Sequence, residues 1–308
     1  MSDRKLEQNT PQENSFFVVG IGASAGGLRA LESFFENMPT DCGAAFVVIQ
    51  HLSPDFKSLM KELLERRTRM EIYRVTDGMV LAVNSIYLIP PGKNLIVEHN
   101  QLRLWEQEER NKHGLNFPID IFLESLATSY ADRAIGVILS GTGSDGTHGL
   151  RAINEAGGFA MVQDPLSAEF DGMPRTAIAT GVVDQILSPQ ALAQVVNQLV
   201  QSPLDKENLS KSESALLDSF KLQKVAHILA KYEQVDFSQY KVSTLSRRIH
   251  RRCLISGCNN LDDYIRLLEI SHEERITLRH DLLISVTQFF RDRKAWDFLE
   301  QHTIPQLI

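Results

Sequence analysis

Three side chains with the chemistry of an ester hydrolase follow three separate apolar runs of the sequence. Ser24 comes after the run FFVVGIG, His51 directly after AAFVVIQ, and Asp145 after AIGVILS, inside the segment LSGTGSDGTHGL. A serine hydroxyl becomes a nucleophile when a histidine takes its proton and a carboxylate orients that imidazole, and the chain order of such a triad varies between unrelated folds. The three residue types therefore predict a candidate site for acyl transfer, provided that the fold brings them together.

The elements that would position these residues alternate in type along the chain. From residue 16 to about 198, strand-like apolar runs alternate with helix-like segments such as LRALESFFENM. The runs span residues 15–22, 44–50, 85–90, 94–99, 134–140 and 157–163. Several lack strict alternation, as buried parallel strands do, and the order predicts an α/β domain with a doubly wound, mostly parallel sheet. The loops that follow such strands share one edge, so Ser24, His51 and Asp145 are expected there.

The glycine-rich turn around residue 24 has other interpretations. Gly20, Gly22 and Ala25 fit the loose fingerprint of a dinucleotide-binding turn. That fingerprint also requires an acidic residue near the end of the second strand, which binds the ribose hydroxyl. The second apolar run ends instead in Gln50 and His51, which disfavours a nicotinamide-dependent enzyme.

The same turn matches the nucleophile elbow of α/β-hydrolases as Gly22-x-Ser24-x-Gly26. Only one strand-like run precedes Ser24, whereas that fold places several strands before its elbow and the acid before the histidine. The simplest structural alternatives are that Ser24 caps a helix, that Asp145 forms a turn, and that His51 is an ordinary packed or surface histidine. The joint placement of the three at strand ends favours a hydrolase of another fold with the same triad chemistry.

Composition restricts the class of protein. The 308 residues are 43% hydrophobic and 23% charged, which is typical of a globular protein. The formal net charge of −7 argues against nucleic-acid binding by the protein as a whole. Cys42, Cys253 and Cys258 form no CxxC pair, which fits reduced thiols in a cytoplasmic protein. No apolar run is long enough to span a bilayer, so membrane insertion is not expected.

Five segments of the first domain occur in an order known from one family. They are VVGIGASAGG (18–27), VIQHLSPDF (48–56), YLIPPGKNL (87–95), ILSGTGSDGTHGL (138–150) and AGGFAMVQDPLSAEFDGMPRTAIATG (156–181). These segments resemble the catalytic domain of the chemoreceptor protein-glutamate methylesterases of the CheB type. The resemblance implies Ser24 as nucleophile, His51 as general base and acid, and Asp145 as the orienting carboxylate. It also implies hydrolysis of glutamyl methyl esters on cytoplasmic chemoreceptor helices, with glutamine deamidation as a related activity, and no cofactor or metal for the esterase.

Two positions depart from the family pattern. The residue after the nucleophile, often a hydroxyl residue in the family, is Ala25, and the methionine often found in the SGTGSDG loop is Thr142. If only backbone N–H groups at these positions bind the oxyanion that forms when the serine attacks the ester, both departures should have little effect on the rate. His113 and His148 are rival histidines, and His148 lies in the loop of Asp145 but lacks the placement at a strand end.

Beyond the first domain the pattern changes to helical segments alone. Residues 236–269, DFSQYKVSTLSRRIHRRCLISGCNNLDDYIRLLE, and 285–300, SVTQFFRDRKAWDFLE, resemble the N-terminal helical domain of the chemoreceptor glutamate methyltransferases of the CheR type. The resemblance implies that Thr287 and Arg291 help to bind S-adenosylmethionine in a full-length fusion, although the family's asparagine two residues before the threonine is Ser285 here. The α/β domain that carries most of that site does not follow in the sequence, so methyl transfer by this chain is not expected.

These patterns predict an α/β domain followed by a small all-α domain, and they divide the chain into five segments. They are a disordered polar tail without a signal peptide (1–15), a methylesterase domain (16–198), a linker (199–214), a methyltransferase-type helical domain (215–290) and the start of a linker to a missing methyltransferase domain (291–308). The tail is too short for the receiver domain that controls stand-alone methylesterases, so different regulation is expected.

Four arginines of the second domain, Arg247, Arg248, Arg251 and Arg252, recur at helical spacing and would cover one side of a helix. The simplest interpretation is a solvated basic face, and no interleaved aromatic residues support a nucleic-acid site. The family resemblance predicts instead a docking face for acidic receptor helices. A catalytically silent receptor-docking scaffold is the alternative function, and the intact triad residues favour the esterase.

Overall fold

The computed structural model of the chain describes residues 16–50, 59–107, 116–201, 213–237, 240, 242–258 and 260–283. Of residues 213–219, 243, 244 and 247 it describes the backbone alone. The described strands are β1 Val18–Ala23, β2 Ala45–Gln50, β3 Glu71–Arg74, β4 Met79–Val80, β5 Ser85–Leu88, β6 Lys93–Glu98, β7 Gln101–Glu106, β8 Ala134–Ile138, β9 Phe159–Gln163 and β10 Gln185–Leu187.

The described helices fall into two groups. Those of the first domain are α1 Gly27–Glu36, α2 Met60–Leu64, α3 Pro118–Tyr130, α4 Thr147–Ala156, α5 Gly172–Ile178 and α6 Pro189–Gln201. Those of the second domain are α7 Glu213–Glu233, α8 Val242–Ile255, α9 Leu261–Ile270 and α10 His272–Leu283. Helix α6 extends to Gln201 and α7 begins at Glu213, so both helices enter the segment that was predicted as a linker. No described helix combines the length and the apolar character that crossing a membrane would require.

The central sheet confirms the predicted doubly wound architecture. It has the strand order β10-β9-β8-β1-β2-β5-β3, and its strand pairs are parallel. The chain builds outward from β1 through β2 in one direction and later through β8 in the other. The strand order therefore reverses between β1 and β8, and crevices that bind ligands form at the carboxyl ends of strands at such a point.

One predicted strand lies outside this sheet. The run at 94–99 forms β6, which pairs with β7 in a separate antiparallel sheet of order β4-β7-β6. The hairpin turns at His99 and Asn100, whose φ angles of 49° and 62° suit a tight two-residue connection. The pattern did not predict β3, β4, β7 or β10: β3, β4 and β10 have only two to four residues, and β7, although six residues long, buries only Leu102.

Helices cover both faces of the central sheet. On one face, Phe34 and Phe35 of α1 pack edge-on against Phe46 of β2, with ring centroids 6.2 and 5.5 Å away. On the other face, α3 lies unusually close to β1: a Cβ on Gly20 would be only 2.6 Å from Leu123 Cδ2. The glycines that resemble a dinucleotide fingerprint therefore serve close helix–strand packing.

The second domain is helical throughout its described residues, as the sequence predicted. Helices α7 to α10 surround a core of fully buried side chains that includes Val225, Leu229, Ile249, Tyr264 and Leu278. Burial of each large apolar side chain contributes roughly 2 kcal/mol. A small four-helix unit thus has its own core.

Helix α8 joins the second domain to the first through buried arginines. The Arg251 guanidinium donates to the Gly158 carbonyl at 2.8 Å and pairs with Asp184. Arg248 donates to the Asn154 carbonyl at 3.3 Å, near the end of α4. Gly158 directly precedes β9 and Asp184 directly precedes β10, so these contacts lie at the amino edge of the sheet.

The predicted basic docking face is wrong for the arginines whose side chains are described. Arg248, Arg251 and Arg252 are only 7%, 2% and 9% exposed, and the Arg247 side chain lies outside the described residues. Arg252 pairs with Glu274 at 2.7 Å, and Arg251 also approaches Asp281 at 3.3 Å. Helical spacing correctly placed these residues on neighbouring positions, but it could not reveal that carboxylates and backbone carbonyls distant in sequence cover them.

Candidate active site

Ser24 lies at the carboxyl end of β1, where the chain turns into α1. Its N–H donates to the Ser140 carbonyl at 3.0 Å, and its own carbonyl accepts from Gly27 N–H at 3.0 Å. The side chain is half-buried. A Cβ on Gly141 would lie 2.9 Å from the Ser24 Cβ, so the loop after β8 packs directly against the candidate nucleophile.

Ser140 holds together the loops that surround the nucleophile. Its hydroxyl donates to the Ala25 carbonyl at 2.8 Å and accepts from Phe170 N–H at 3.0 Å. Its own N–H donates to the Gln163 side chain at 2.8 Å. This 1% exposed residue thus joins the loops after β1, β8 and β9. Sequence reasoning missed Ser140, although a polar residue that ends a fully apolar run was a usable signal.

Asp145 lies in the loop between β8 and α4 and is only 3% exposed. Its carboxylate accepts from Ile119 N–H at 3.0 Å and from Asp120 N–H at 2.9 Å, both in the first turn of α3. Amides at a helix N-terminus stabilise a negative charge, since the helix dipole is positive there. Asp145 is therefore a fixed carboxylate in the loop that follows β8, the strand next to that of Ser24, at the same edge of the sheet.

Asp120 is a second buried carboxylate beside Asp145, and sequence reasoning missed it. It is 6% exposed and accepts from Gly149 N–H, in the first turn of α4, at 2.7 Å. Burial raises the pKa of Asp120 to about 6, and the Asp145 charge adds to the rise, whereas Gly149 and His148 oppose it. A carboxyl with such a pKa changes its charge near neutral pH, which is typical of functional sites.

The remaining predicted site residues have different outcomes. His51, His113, Thr287 and Arg291 lie outside the described residues. Strand β2 ends at Gln50, directly before His51, and Gln50 pairs with Ala23 at the end of β1. The rival histidine, His148, is exposed on α4.

Backbone amides of the turn are candidate donors to an oxyanion. The N–H of Ser24 donates to Ser140 and that of Gly27 to Ser24, whereas among the described residues no backbone partner is seen for the N–H groups of Ala25 and Gly26. Gly26 has a φ of 69°, and a Cβ there would lie 2.7 Å from both the Ser140 hydroxyl and the Glu169 Cβ. Glycine is thus required next to the nucleophile. The departure at Ala25 leaves its backbone N–H in place.

A cleft opens beside this turn, between α1 and the loop that follows β9. Its volume is about 460 Å³, and its lining includes Arg29, Gln163, Leu166 and Glu169. Leu166 is 91% exposed, which is unusual for a leucine. Within the described residues, no group of histidine, cysteine or acidic side chains is arranged to hold a metal ion.

A serine at the reversal point of a parallel α/β sheet, with a helix-bound carboxylate on the neighbouring loop, fits the class of hydrolases with a serine nucleophile. The family model for CheB methylesterase matches residues 19–196, and that for the all-alpha domain of CheR methyltransferase matches residues 221–283. The chain belongs to the CheB methylesterase family, whose members are carboxylic ester hydrolases, and it continues into a CheR-type helical domain.

Individual proteins are similar to this chain in sequence or in structure. The chain is 36% identical to a 104.1 kDa protein encoded in the hypE 3′ region of Rhodobacter capsulatus, over 81% of this chain and 28% of that protein. It is 36% identical to a protein-glutamate methylesterase/protein-glutamine glutaminase of Geobacillus kaustophilus, over 59% of this chain and 53% of that enzyme. The crystal structure of the Thermotoga maritima CheB methylesterase catalytic domain aligns with a TM-score of 0.55 and 26% identity, over 60% of this chain and 99% of that domain. The chain thus spans only part of both of these relatives in sequence.

Proposed function

We propose that this chain hydrolyses glutamyl methyl esters on the cytoplasmic helices of chemoreceptor-like proteins, with Ser24, His51 and Asp145 as its triad. The observation that carries the proposal is the position of Ser24 and Asp145 at one edge of neighbouring strands, in a domain of the methylesterase family. A cytoplasmic location follows from the same substrate. In a longer fusion, S-adenosylmethionine would serve the methyltransferase part, to which Thr287 and Arg291 would contribute.

The proposed reaction proceeds through a covalent acyl-enzyme. His51 takes the hydroxyl proton of Ser24 as the Oγ atom attacks the ester carbonyl, and the N–H groups of Ala25 and Gly26 bind the oxyanion. His51 then returns the proton to the leaving methoxide, so methanol departs. A water molecule, deprotonated by His51, attacks the acyl-enzyme and releases the glutamate carboxylate and the Ser24 hydroxyl. With a glutamine substrate the leaving group is ammonia.

The cleft beside the turn supports a helical protein as substrate. Leu166 offers an exposed apolar contact, and Arg29 and Glu169, which form an ion pair at 3.9 Å, offer charges of both signs in the lining of the cleft. An amphipathic helix presents apolar and charged side chains at matching intervals. The glutamyl ester of such a helix would reach Ser24 from the cleft.

The test is the release of methanol from methylated receptor fragments by the wild type and by Ser24→Ala. We expect release by the wild type and a loss of at least about a thousandfold in Ser24→Ala, as in other serine hydrolases that lose the nucleophile. Ser246→Ala, in the second domain, is the matched control and should retain full activity. Equal rates for wild type and Ser24→Ala would exclude the triad, and no release by either would favour the receptor-docking scaffold.

A further inference from the structure

Helices α3 and α4 cap one another through two aspartates that are far apart in sequence. Asp145, two residues before α4, accepts two N–H groups from the first turn of α3. Asp120, in that first turn of α3, accepts an N–H group from the first turn of α4. Each helix thus supplies a carboxylate to the unpaired amides of the other, which is a reciprocal cap formed between two helices.

This reciprocal cap places two buried carboxylates side by side, which is unfavourable for the fold. Both residues are less than a tenth exposed, and the charge on Asp145 disfavours ionisation of Asp120. The hydrogen bond from Gly149 does not require a charge on Asp120, because an asparagine side-chain oxygen could accept it equally well. Capping therefore explains an oxygen at position 120, but not a carboxylate.

The charge has a use in the proposed reaction. When His51 takes the serine proton it becomes an imidazolium, and Asp145 is the carboxylate proposed to face it. A second negative charge next to Asp145 would stabilise that imidazolium further, since the attraction between charges falls only slowly with distance in a buried site.

We propose that Asp120 is a positioning residue of the esterase: it fixes the Asp145 loop through the reciprocal cap, and its negative charge, acting through Asp145, favours the imidazolium. This inference rests on the proposed function. The titratable groups that face Asp120 are Asp145 in the loop before α4, His148 on α4 and Glu124 on α3. Burial is the main cause that raises the pKa of Asp120 to about 6; the two carboxylates add to the rise and His148 opposes it, so the charge is present at pH 8 and lost toward pH 5.

The experiment compares kcat of wild type and Asp120→Asn between pH 5 and pH 8. Asparagine retains the acceptor for Gly149 and removes only the charge. At pH 8 we expect kcat to fall by at least about tenfold, because the positive charge that develops on the imidazole loses the attraction of a buried carboxylate. KM should stay within about twofold, since the Michaelis complex contains no imidazolium. At pH 5 the two rates should converge, because the wild-type Asp120 is then also neutral.

The control is Asp132→Asn, on the exposed turn at the opposite end of α3, which should match the wild type at every pH. Asp120→Ala removes both the charge and the acceptor. A normal kcat for Asp120→Asn at pH 8, or a ratio to wild type that does not change with pH, would show that Asp120 is only a structural cap. Ser24→Ala is measured in parallel: if it lacks activity while Asp120→Asn is normal, only this inference fails, whereas an active Ser24→Ala removes the proposed triad itself.

Discussion

Arg251 is the most buried of the cations that join the two domains, and its loss should destabilise the protein strongly. The side chain is 2% exposed, pairs with Asp184 and Asp281, and donates to the Gly158 carbonyl. Arg251→Met keeps much of the side-chain volume but leaves Asp184, whose side chain is only 6% exposed, without its cation. Removing one partner of a buried ion pair costs about 3–5 kcal/mol.

A double-mutant cycle measures this interaction in urea-induced unfolding. In the wild type, the N–H of Ala160 donates to the Asp184 carboxylate at 2.8 Å, and Asp184→Asn keeps a side-chain oxygen that can accept this hydrogen bond. Because the double variant Arg251→Met/Asp184→Asn leaves no uncompensated charge between the two positions, it should be more stable than Arg251→Met alone, with a coupling free energy of roughly 2 kcal/mol. Arg266→Met is the matched control: this arginine is 77% exposed and pairs with Asp263, so its loss should cost less than about 0.5 kcal/mol.

The destabilisation by Arg251→Met should also depend on pH. Burial raises the pKa of the Asp184 carboxyl, and Arg251 opposes that rise, so the pKa rises further in the variant. A carboxyl with a raised folded-state pKa stabilises the fold only while it is protonated, and that stability is lost as pH rises through the folded pKa. The variant should therefore be closer to the wild type at pH 5 than at pH 8. Additive single effects, or a loss below about 0.5 kcal/mol at pH 8, would refute the assignment of this pair as the main link between the domains.

Three further predictions concern the active-site edge. Asp120→Asn should raise the free energy of unfolding at pH 8 by on the order of 2 kcal/mol and have little effect at pH 4. The reason is that the pKa of Asp120 in the folded protein, about 6, lies above its ordinary value, so its charge destabilises the fold at pH 8; urea titrations at both pH values test this. Gly141→Ala should lower kcat by at least about tenfold in the methanol assay, since its Cβ would lie 2.9 Å from that of Ser24 and collide with the Met173 sulfur; an unchanged kcat would contradict this packing. Leu166→Ser should raise KM by about tenfold and leave the rate with a free methyl ester unchanged, whereas equal effects on both substrates would contradict a docking role.

The sequence was sufficient for features that depend on local pattern. Apolar runs placed Ser24 and Asp145 after strands, and the alternation with helices predicted one shared edge, as the parallel sheet confirms. The roles of these residues remain predictions. Asp120 was missed because its contacts, Asp145 and Gly149, are separated from it by 25 and 29 positions, and no local pattern reports which helix end receives a distant carboxylate.

The prediction that the arginines of α8 form an exposed docking face was wrong for a related reason. Spacing along a helix tells which side chains share a side, but it does not tell whether that side faces water or another domain. Arg251 contacts Gly158 and Asp184, 93 and 67 positions away, and only the packing of α8 against the amino edge of the sheet brings them together. Four arginines with a helical period were therefore equally compatible with a surface patch and with a buried interface.

The helical domain and the Ser24 loop lie at opposite edges of the same parallel sheet. Strand β9 begins next to the Arg251 contact and ends at Gln163, which holds Ser140; its five residues span roughly 17 Å. Close-packed interiors do not deform continuously, so the loss of the Arg251 contact should leave the Ser24 loop in place. Arg251→Met should therefore keep kcat within about twofold of the wild type under conditions where it is folded. A much larger fall in kcat, in protein shown to be folded by circular dichroism, would mean that the helical domain controls the active site through β9 rather than merely adjoining it.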